Sequence, residues 1–366
     1  MSLSVGIVGL PNVGKSTLFN ALLRKQQALA ANYPFATIEP NTGIVEVPDK
    51  RLAELAGVVE KNLNLSSGSV PLRKASIEFV DIAGLVAGAS KGEGLGNQFL
   101  ANIRETELIC HVMRAFEDGD VVLTGKLDPV EDLQTIRTEL ILKDIETLEK
   151  QDKALRKERS KDLSEARDKA MAVLSSGKMI SSVVWPELQK DWLDSLSLLT
   201  AKPEIFVVNV AENRISQEKE IQQSFAKTLE TNPENIAVIS AKIEAELADL
   251  EPEDQVLFMQ DLGLTESGIE RMARVAYHKL GLISFLTAGE IEVRAWTIKK
   301  GASAPEAAGA IHTDFTKKFI KAEVIGWREF IEFGGWKGAR DKGKARTEGR
   351  EYVMKDGEVV DFKIGA

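Results

Sequence analysis

Eight residues near the start of the chain, Gly9-Leu10-Pro11-Asn12-Val13-Gly14-Lys15-Ser16, carry the pattern G-x-x-x-x-G-K-[ST]. The pattern has meaning only between a strand and a helix, and both flanks agree. Val5-Gly6-Ile7-Val8 is a short apolar run of buried-strand type, and Thr17-Leu18-Phe19-Asn20-Ala21-Leu22-Leu23 has helical patterning. Gly9 and Gly14 let the backbone curl so that its N–H groups converge on a phosphate. The start of the helix adds its partial positive charge, through the N–H groups of Asn12, Val13, Gly14, Lys15, Ser16 and Thr17. Lys15 is placed to reach the β- and γ-phosphates, and the Ser16 hydroxyl to bind magnesium. The expected start is therefore an α/β nucleotide-binding domain with a mainly parallel sheet.

Composition narrows the class. A chain of 366 residues exceeds a single core and predicts two or three domains. There is no apolar run long enough for a membrane helix, and Met1-Ser2-Leu3-Ser4 leads straight into the first strand, so no leader is expected. A single cysteine, Cys110, excludes an intrachain disulfide and suits a reducing, cytoplasmic setting. It reads as a small buried hydrophobe. Three scattered histidines (His111, His278, His312) and one cysteine make no zinc site. Of the three, His278 falls in a helical pattern and reads as structural. The net charge of −9 argues against a nucleic-acid binder as a whole. Residues 283–366, however, hold 15 Lys and Arg against 13 Asp and Glu, so the C-terminal part carries a charge of its own kind.

Strands are expected at Ser4–Val8, Thr42–Val47, Ser76–Asp81, Leu108–Arg114, Glu204–Asn209 and Asn235–Ser240. Between 131 and 200 the texture changes: Leu133, Ile136, Leu140, Ile145 and Leu148 recur at helical spacing, followed by Leu163, Ala166, Ala170 and Val173. This predicts a helical hairpin turning near Arg159–Asp162, with a basic tip or simply a solvated face. Because strand pattern resumes after it, the hairpin is an insertion. The expected domains are 1–130 with 201–282, the insertion 131–200, and a small mixed β domain at 283–366.

Two further segments complete a switch. Asp81 ends the strand before Ile82-Ala83-Gly84, where its carboxylate can hold the magnesium shell and the Gly84 N–H can touch a γ-phosphate. Thr37, in Tyr33-Pro34-Phe35-Ala36-Thr37, offers a hydroxyl to the same metal. Both loops would close only on a triphosphate, an order–disorder switch.

Three segments carry a family resemblance: Gly9–Thr17, Asn32–Asn41, and the long run from Asp81 through Gly84-Leu85-Val86 and Lys91-Gly92-Glu93-Gly94 to Asn97. Together with the helical insertion and the C-terminal block, they resemble the YchF/Obg-like ATPase family, related to the Obg GTPases. The likeness covers nearly the whole chain. Within it, Gly301–Phe315, including His312, is similar to a TGS domain, a β-grasp module. There His312 is expected to serve the local fold or a partner surface. The fold implied is an α/β P-loop NTPase of G-domain type with an inserted α-helical hairpin and a C-terminal β-grasp TGS domain.

The base specificity rests on Asn209-Val210-Ala211-Glu212. GTP-binding relatives carry N-K-x-D, whose Asp accepts two hydrogen bonds from guanine and rejects adenine. Here Val210 and Glu212 replace the Lys and the Asp, and Glu212 is expected to turn aside. Asn209 and the Val210 backbone are candidates for the adenine edge, with Ser240-Ala241-Lys242 behind the base. The resemblance implies ATP, with GTP weaker. Leu85 stands where related GTPases place a water-orienting Gln. His111 is then a candidate acid–base group beside Lys15 and Gly84, with a buried structural histidine and switch carbonyls as alternatives. Asn12 resembles an asparagine that binds potassium in some relatives, so K⁺ joins Mg²⁺ as a candidate cation.

In the C-terminal block, Lys317, Lys318, Lys321, Arg328, Lys337, Arg340, Lys342, Lys344 and Arg346 alternate with Phe315, Phe319, Trp327, Phe330, Phe333 and Trp336. Such a pattern suits RNA, or a core with lysines outside it. The resemblance implies the ribosome, specifically its large subunit. The resulting expectation is a slow, magnesium-dependent, monomeric ATPase switch without a membrane partner. The rivals are a GTP-selective Obg-type switch and an RNA-binding module with nucleotide as a structural ligand.

Overall fold

The computed structural model describes residues 3–31, 41–82, 95–116, 128–158 and 160–365. Thr37, Gly84 and Leu85 lie outside the described residues. The chain divides into two units, 1–45 with 77–279, and 46–76 with 280–366.

The first unit is built on β1 (Ser4–Val8), β2 (Thr42–Glu46), β4 (Ser76–Asp81), β5 (Leu108–Ala115), β6 (Glu204–Val210) and β7 (Ile236–Ile239), with β3 (Leu72–Arg73) belonging elsewhere. The strand order is β2-β4-β1-β5-β6-β7. The pairs β1–β4, β1–β5, β5–β6 and β6–β7 all run parallel. Every residue of β1, β6 and β7 is buried, which is why these strands read as unbroken apolar runs rather than alternating ones. The chain leaves β1 for β4 on one side and returns to β5 on the other. That reversal puts a crevice at the carboxyl end of β1, where open α/β sheets bind ligands.

The helical insertion starts as a layer of this domain. Asp128 accepts hydrogen bonds from the Val130 and Glu131 N–H groups at 3.0 and 3.1 Å, and Pro129 takes the first helical position, so Pro129–Glu158 has a capped start. Ile136, Leu140 and Leu148 of this helix share one core cluster with Val8, Ile109, Ala170 and Leu174. The returning helix, Lys161–Ser175, begins after its cap Ser160, at the turn the sequence places there. The segment 131–200 therefore does not stand apart from the nucleotide domain. Its hydrophobic stripe is shared with the sheet.

Asp144 pins the return path. Its fully buried carboxylate accepts from the Leu199 N–H (3.0 Å), the Thr200 N–H (2.7 Å) and the Thr200 hydroxyl (2.6 Å), capping the short turn that leads into β6.

The second unit is a mixed sheet of β8 (Leu282–Ala288), β9 (Val293–Lys299), β10 (Phe319–Gly326), β11 (Arg346–Glu348) and β12 (Glu358–Ile364), extended by β3 in the order β11-β10-β12-β8-β9-β3. The helix Ala304–Ile311 lays Ala304, Ala307 and Ala308 on Phe285, Val324 and Val360, the β-grasp arrangement. Its start carries a Ser303/Glu306 capping box.

One boundary differs from the sequence expectation. Residues 46–76 belong to this second unit and not to the 1–130 nucleotide segment. Leu72 and Arg73 pair in parallel with Val293 and Arg294 of β9. Arg51, at the head of the helix Arg51–Leu63, reaches Asp356 at 2.7 Å. Leu52, Leu55, Ala56 and Val59 announce a buried helix face, but periodicity does not say which core the face joins.

Replacing Asp144 by Ala leaves two backbone donors and a hydroxyl unpaired in the core. An Asp144→Ala variant should lose about 2–4 kcal/mol of stability, seen as a lower urea midpoint. An unchanged midpoint would contradict the pinning role.

Candidate nucleotide site

At the end of β1 the chain turns through Pro11–Gly14 into the helix Lys15–Ala31. Gly14 has φ +90°, and a Cβ there would sit 2.2 Å from Asn209 Nδ2, so both conformation and space demand glycine. Asn12 is also left-handed, at φ +65°. Val13 is buried, which anchors the loop in the core. The Leu18 N–H bonds the Gly14 carbonyl at 3.0 Å. The amides before Leu18 thus have no helical partner and are available to an anion.

Lys15 and Asp81 come together here. Lys15 Nζ donates to Asp81 Oδ1 at 2.5 Å, with side chains 10% and 23% exposed. Asp81 is delivered by register, its Cα paired with Ile7 two residues before Gly9. Ser16 and Thr17 are exposed at the first turn of the helix. A hydroxyl and a carboxylate are hard oxygen donors. They are few, as suits a magnesium ion that completes its octahedron with water and phosphate. Among the described residues no group of three His, Cys, Asp or Glu forms a protein-only cage. The donor set present fits magnesium bound in this way.

Asn209 takes a different part from the one expected. Its Nδ2 donates to the Val13 carbonyl at 2.9 Å, and its Oδ1 accepts the Ala241 N–H at 2.9 Å. At 3% exposure its oxygen and one of its N–H bonds are spent on protein. It staples the phosphate loop to β6 and to the helix Ala241–Ala248. The side chain expected at the adenine edge is thus also a brace of the phosphate loop. Val210 is also buried, packed with Met113, Leu133 and Phe206. Ser240 is buried behind it. The Glu212 carboxylate meets Lys242 Nζ at 2.8 Å. Phe116 belongs to no motif of the sequence. Ala115 pairs with Val210, so Phe116 follows at the same edge, with the Arg114 guanidinium 4.7 Å from its ring centre. Only the register between β5 and β6 reveals it.

His111 lies elsewhere. Its ring is 1% exposed, stacks on Phe206 (5.7 Å, 17°), and shares a 2.8 Å hydrogen bond with Glu204 Oε1. Glu204 begins β6, and β6 runs parallel to β5, so the ring is turned toward the strand-start edge. The phosphate loop lies at the strand-end edge. His111 thus enters a buried charge network with Glu204 and Arg137, whose Nη2 is 2.7 Å from Glu204 Oε2. It does not join Lys15 and Asp81. Burial pushes the Glu204 carboxyl up, but the hydrogen bonds and charges of His111 and Arg137 outweigh it and hold its pKa down at about 2. Cys110 is fully buried, and its thiol pKa is pushed up by desolvation, so it is not poised to react. Exposed His312 caps its own helix, accepting the Asp314 N–H at 3.3 Å, and exposed His278 sits in the last turn of Gly268–Lys279.

In the second unit Lys317, Lys318, Lys321, Arg328, Lys337, Lys342 and Lys344 are exposed. Phe319 and Phe330 are core residues and cannot stack on bases. Arg340 and Arg346 are held by Glu323 and Glu358.

A glycine-cradled loop at a helix start, with an aspartate delivered by the neighbouring parallel strand, defines a P-loop nucleoside-triphosphate hydrolase with a G-domain core. Residues 4–153 match the family model described as "50S ribosome-binding GTPase", and residues 282–365 match the YchF-type GTPase C-terminal model, described as "Protein of unknown function (DUF933)". The chain is similar to the "Ribosome-binding ATPase YchF" of Bacillus subtilis, 46% identical over 100% of both chains. It is 47% identical to that of Haemophilus influenzae, over 100% of this chain and 99% of the relative. Among solved structures it resembles the Schizosaccharomyces pombe YchF GTPase, with TM-score 0.85 and 35% identity over 99% of this chain and 98% of that one. The chain belongs to the YchF family.

Two outcomes follow from this geometry. Asn209→Ala removes two hydrogen bonds of about 1 kcal/mol each, so nucleotide affinity measured by calorimetry should fall roughly tenfold or more. Glu204→Gln should cost about 3–5 kcal/mol at neutral pH, because it breaks a buried pair. Since the folded pKa of Glu204 is depressed, its stabilisation is present above the unfolded carboxylate range and disappears as pH falls toward about 2. The stability gap between wild type and Glu204→Gln should therefore narrow over that acid window in pH-dependent urea melts. A constant gap would contradict the ion-pair assignment.

Proposed function

We propose that the chain is a magnesium-dependent ATPase that works as a nucleotide-controlled switch on the ribosome. The Lys15–Asp81 pair at the start of the helix, with the Ser16 hydroxyl beside it, carries this reading. A triphosphate entering the loop would take the Lys15 ammonium onto its β- and γ-oxygens and leave Asp81 to the metal's water shell. Magnesium supplies charge neutralisation on the phosphoryl oxygens. The chain's own residues hold and orient: loop amides cradle the phosphates, Lys15 follows the developing charge, the Thr37 hydroxyl would join the magnesium and the Gly84 N–H the γ-phosphate. Hydrolysis is slow in this reading, because Leu85 can neither donate to nor accept from water.

ATP is favoured over GTP for a physical reason. The segment 209–212 lacks the Asp that pairs with guanine, and Glu212 is engaged by Lys242. Phe116 supplies an aromatic surface that suits adenine without needing polar matching. The ribosomal partner is supported by the names of the relatives, and the large subunit by the description of the model matching 4–153. The exposed lysines of the second unit, which in this reading is a TGS domain, give RNA a phosphate-binding surface. The protein acts as a monomer in the cytoplasm.

Calorimetry of ATP and GTP with magnesium tests the base assignment. Wild type should bind ATP at least roughly tenfold more tightly, and Glu212→Asp should narrow the difference. Equal affinities in wild type would sink the ATP assignment. Co-sedimentation with ribosomes tests the switch: retention should differ between a non-hydrolysable ATP analogue and ADP, and the difference should vanish in Lys15→Ala. Retention that ignores nucleotide would favour the RNA-binding module instead.

A further inference from the structure

A cavity of about 980 Å³ opens in the first unit at the strand-start edge of the sheet. Pro203 and Glu204, which precede and begin β6, line it, whereas Asn209 and Val210 end that strand at the nucleotide crevice. The cavity is thus on the opposite edge from the phosphate loop. Its volume lies within the range that holds nucleotide-sized ligands.

Its inner wall is charged. Arg137 and Glu204 face each other in a two-pronged pair, Nη2–Oε2 at 2.7 Å and Nε–Oε1 at 3.2 Å, and His111 takes a further contact with Glu204. The Glu204 charge is therefore already matched. Lys279, on the last turn of Gly268–Lys279, also lines the cavity, and its ammonium lies within the field of Glu204 rather than in a close ion pair with it. It is only partly exposed, and burial lowers its pKa while the Glu204 charge raises it. An ammonium held partly out of water, whose nearest counter-charge on Glu204 is already shared with Arg137 and His111, gains from an anion that meets it directly. Exposed Lys178 and Lys190 stand on the rim. Asp194 and Glu230 stand there too, so selection falls to the inner lysine rather than to a diffuse field. Trp185 gives an aromatic wall, fixed by its indole N–H on the Ile180 carbonyl at 3.1 Å.

We propose that this cavity is a second ligand site, taking a small phosphorylated molecule whose phosphoryl group pairs with Lys279 and whose apolar part lies against Trp185. The site is independent of the phosphate loop and of the function assigned to it.

The test keeps the two sites apart. With the phosphate loop saturated by a non-hydrolysable ATP analogue and magnesium, inorganic pyrophosphate is titrated calorimetrically into the full-length protein. AMP, a phosphorylated molecule with an organic face, is titrated in a second arm. One further equivalent of each should bind with Kd below ~1 mM. Lys279→Met should weaken both roughly tenfold. Lys190→Met should weaken them less, and it serves as the reporter if Lys279→Met fails to fold. Absence of binding at ~10 mM in wild type, or unchanged affinity in both lysine variants, overturns the site. Pyrophosphate binding without AMP binding overturns the part assigned to Trp185.

Discussion

The Asn209 carboxamide holds the nucleotide edge of this protein together. One side chain joins three elements that are remote in sequence: the phosphate loop through the Val13 carbonyl, its own strand β6, and the helix that starts at Ala241. A loop that must point its amides at phosphate cannot satisfy them internally, so it has little intrinsic reason to keep its shape. Buried bonds from a neighbouring strand supply that reason. Gly14 belongs to the same constraint, since the close approach of Asn209 leaves no room for a Cβ. The asparagine thus shapes the loop, while Val210 and Glu212 after it depart from the N-K-x-D pattern.

The opposite edge of the sheet obeys a different logic. Arg137 lies on the inserted helix, Glu204 on β6 and His111 on β5, and burial makes each of them expensive alone. Together they tie the helical insertion to the centre of the sheet, just as Asp144 ties it to the approach to β6. The insertion is consequently rooted in the nucleotide domain by polar bonds as well as by Ile136, Leu140 and Leu148.

Much of this was legible in the chain. Six strands fall close to their expected ranges because central parallel strands are continuous apolar runs bounded by turns. The helical hairpin shows its period and its turn. Within the site, Lys15, Ser16 and Asp81 follow from local pattern, because a phosphate loop is one continuous segment and its aspartate ends the adjacent strand. Other assignments were not legible. Residues 46–76 look like part of an alternating α/β run, yet β3 pairs with a strand more than 200 residues away. His111 carries the chemistry of an acid–base catalyst but faces Glu204. Phe116 carries no motif and reaches the site only because β5 and β6 are in register.

The sequence by itself determined the phosphate loop, the class of domain around it, the departure from the guanine-binding pattern and the presence of a helical insertion. These are properties of contiguous residues, whose spacing and backbone preferences act locally. Tertiary structure alone decided which core the 46–76 segment joins, that Asn209 braces the phosphate loop, and that His111 and Glu204 share one buried network. Those outcomes depend on strand order and side-chain direction across the sheet, which bring together groups the chain keeps far apart.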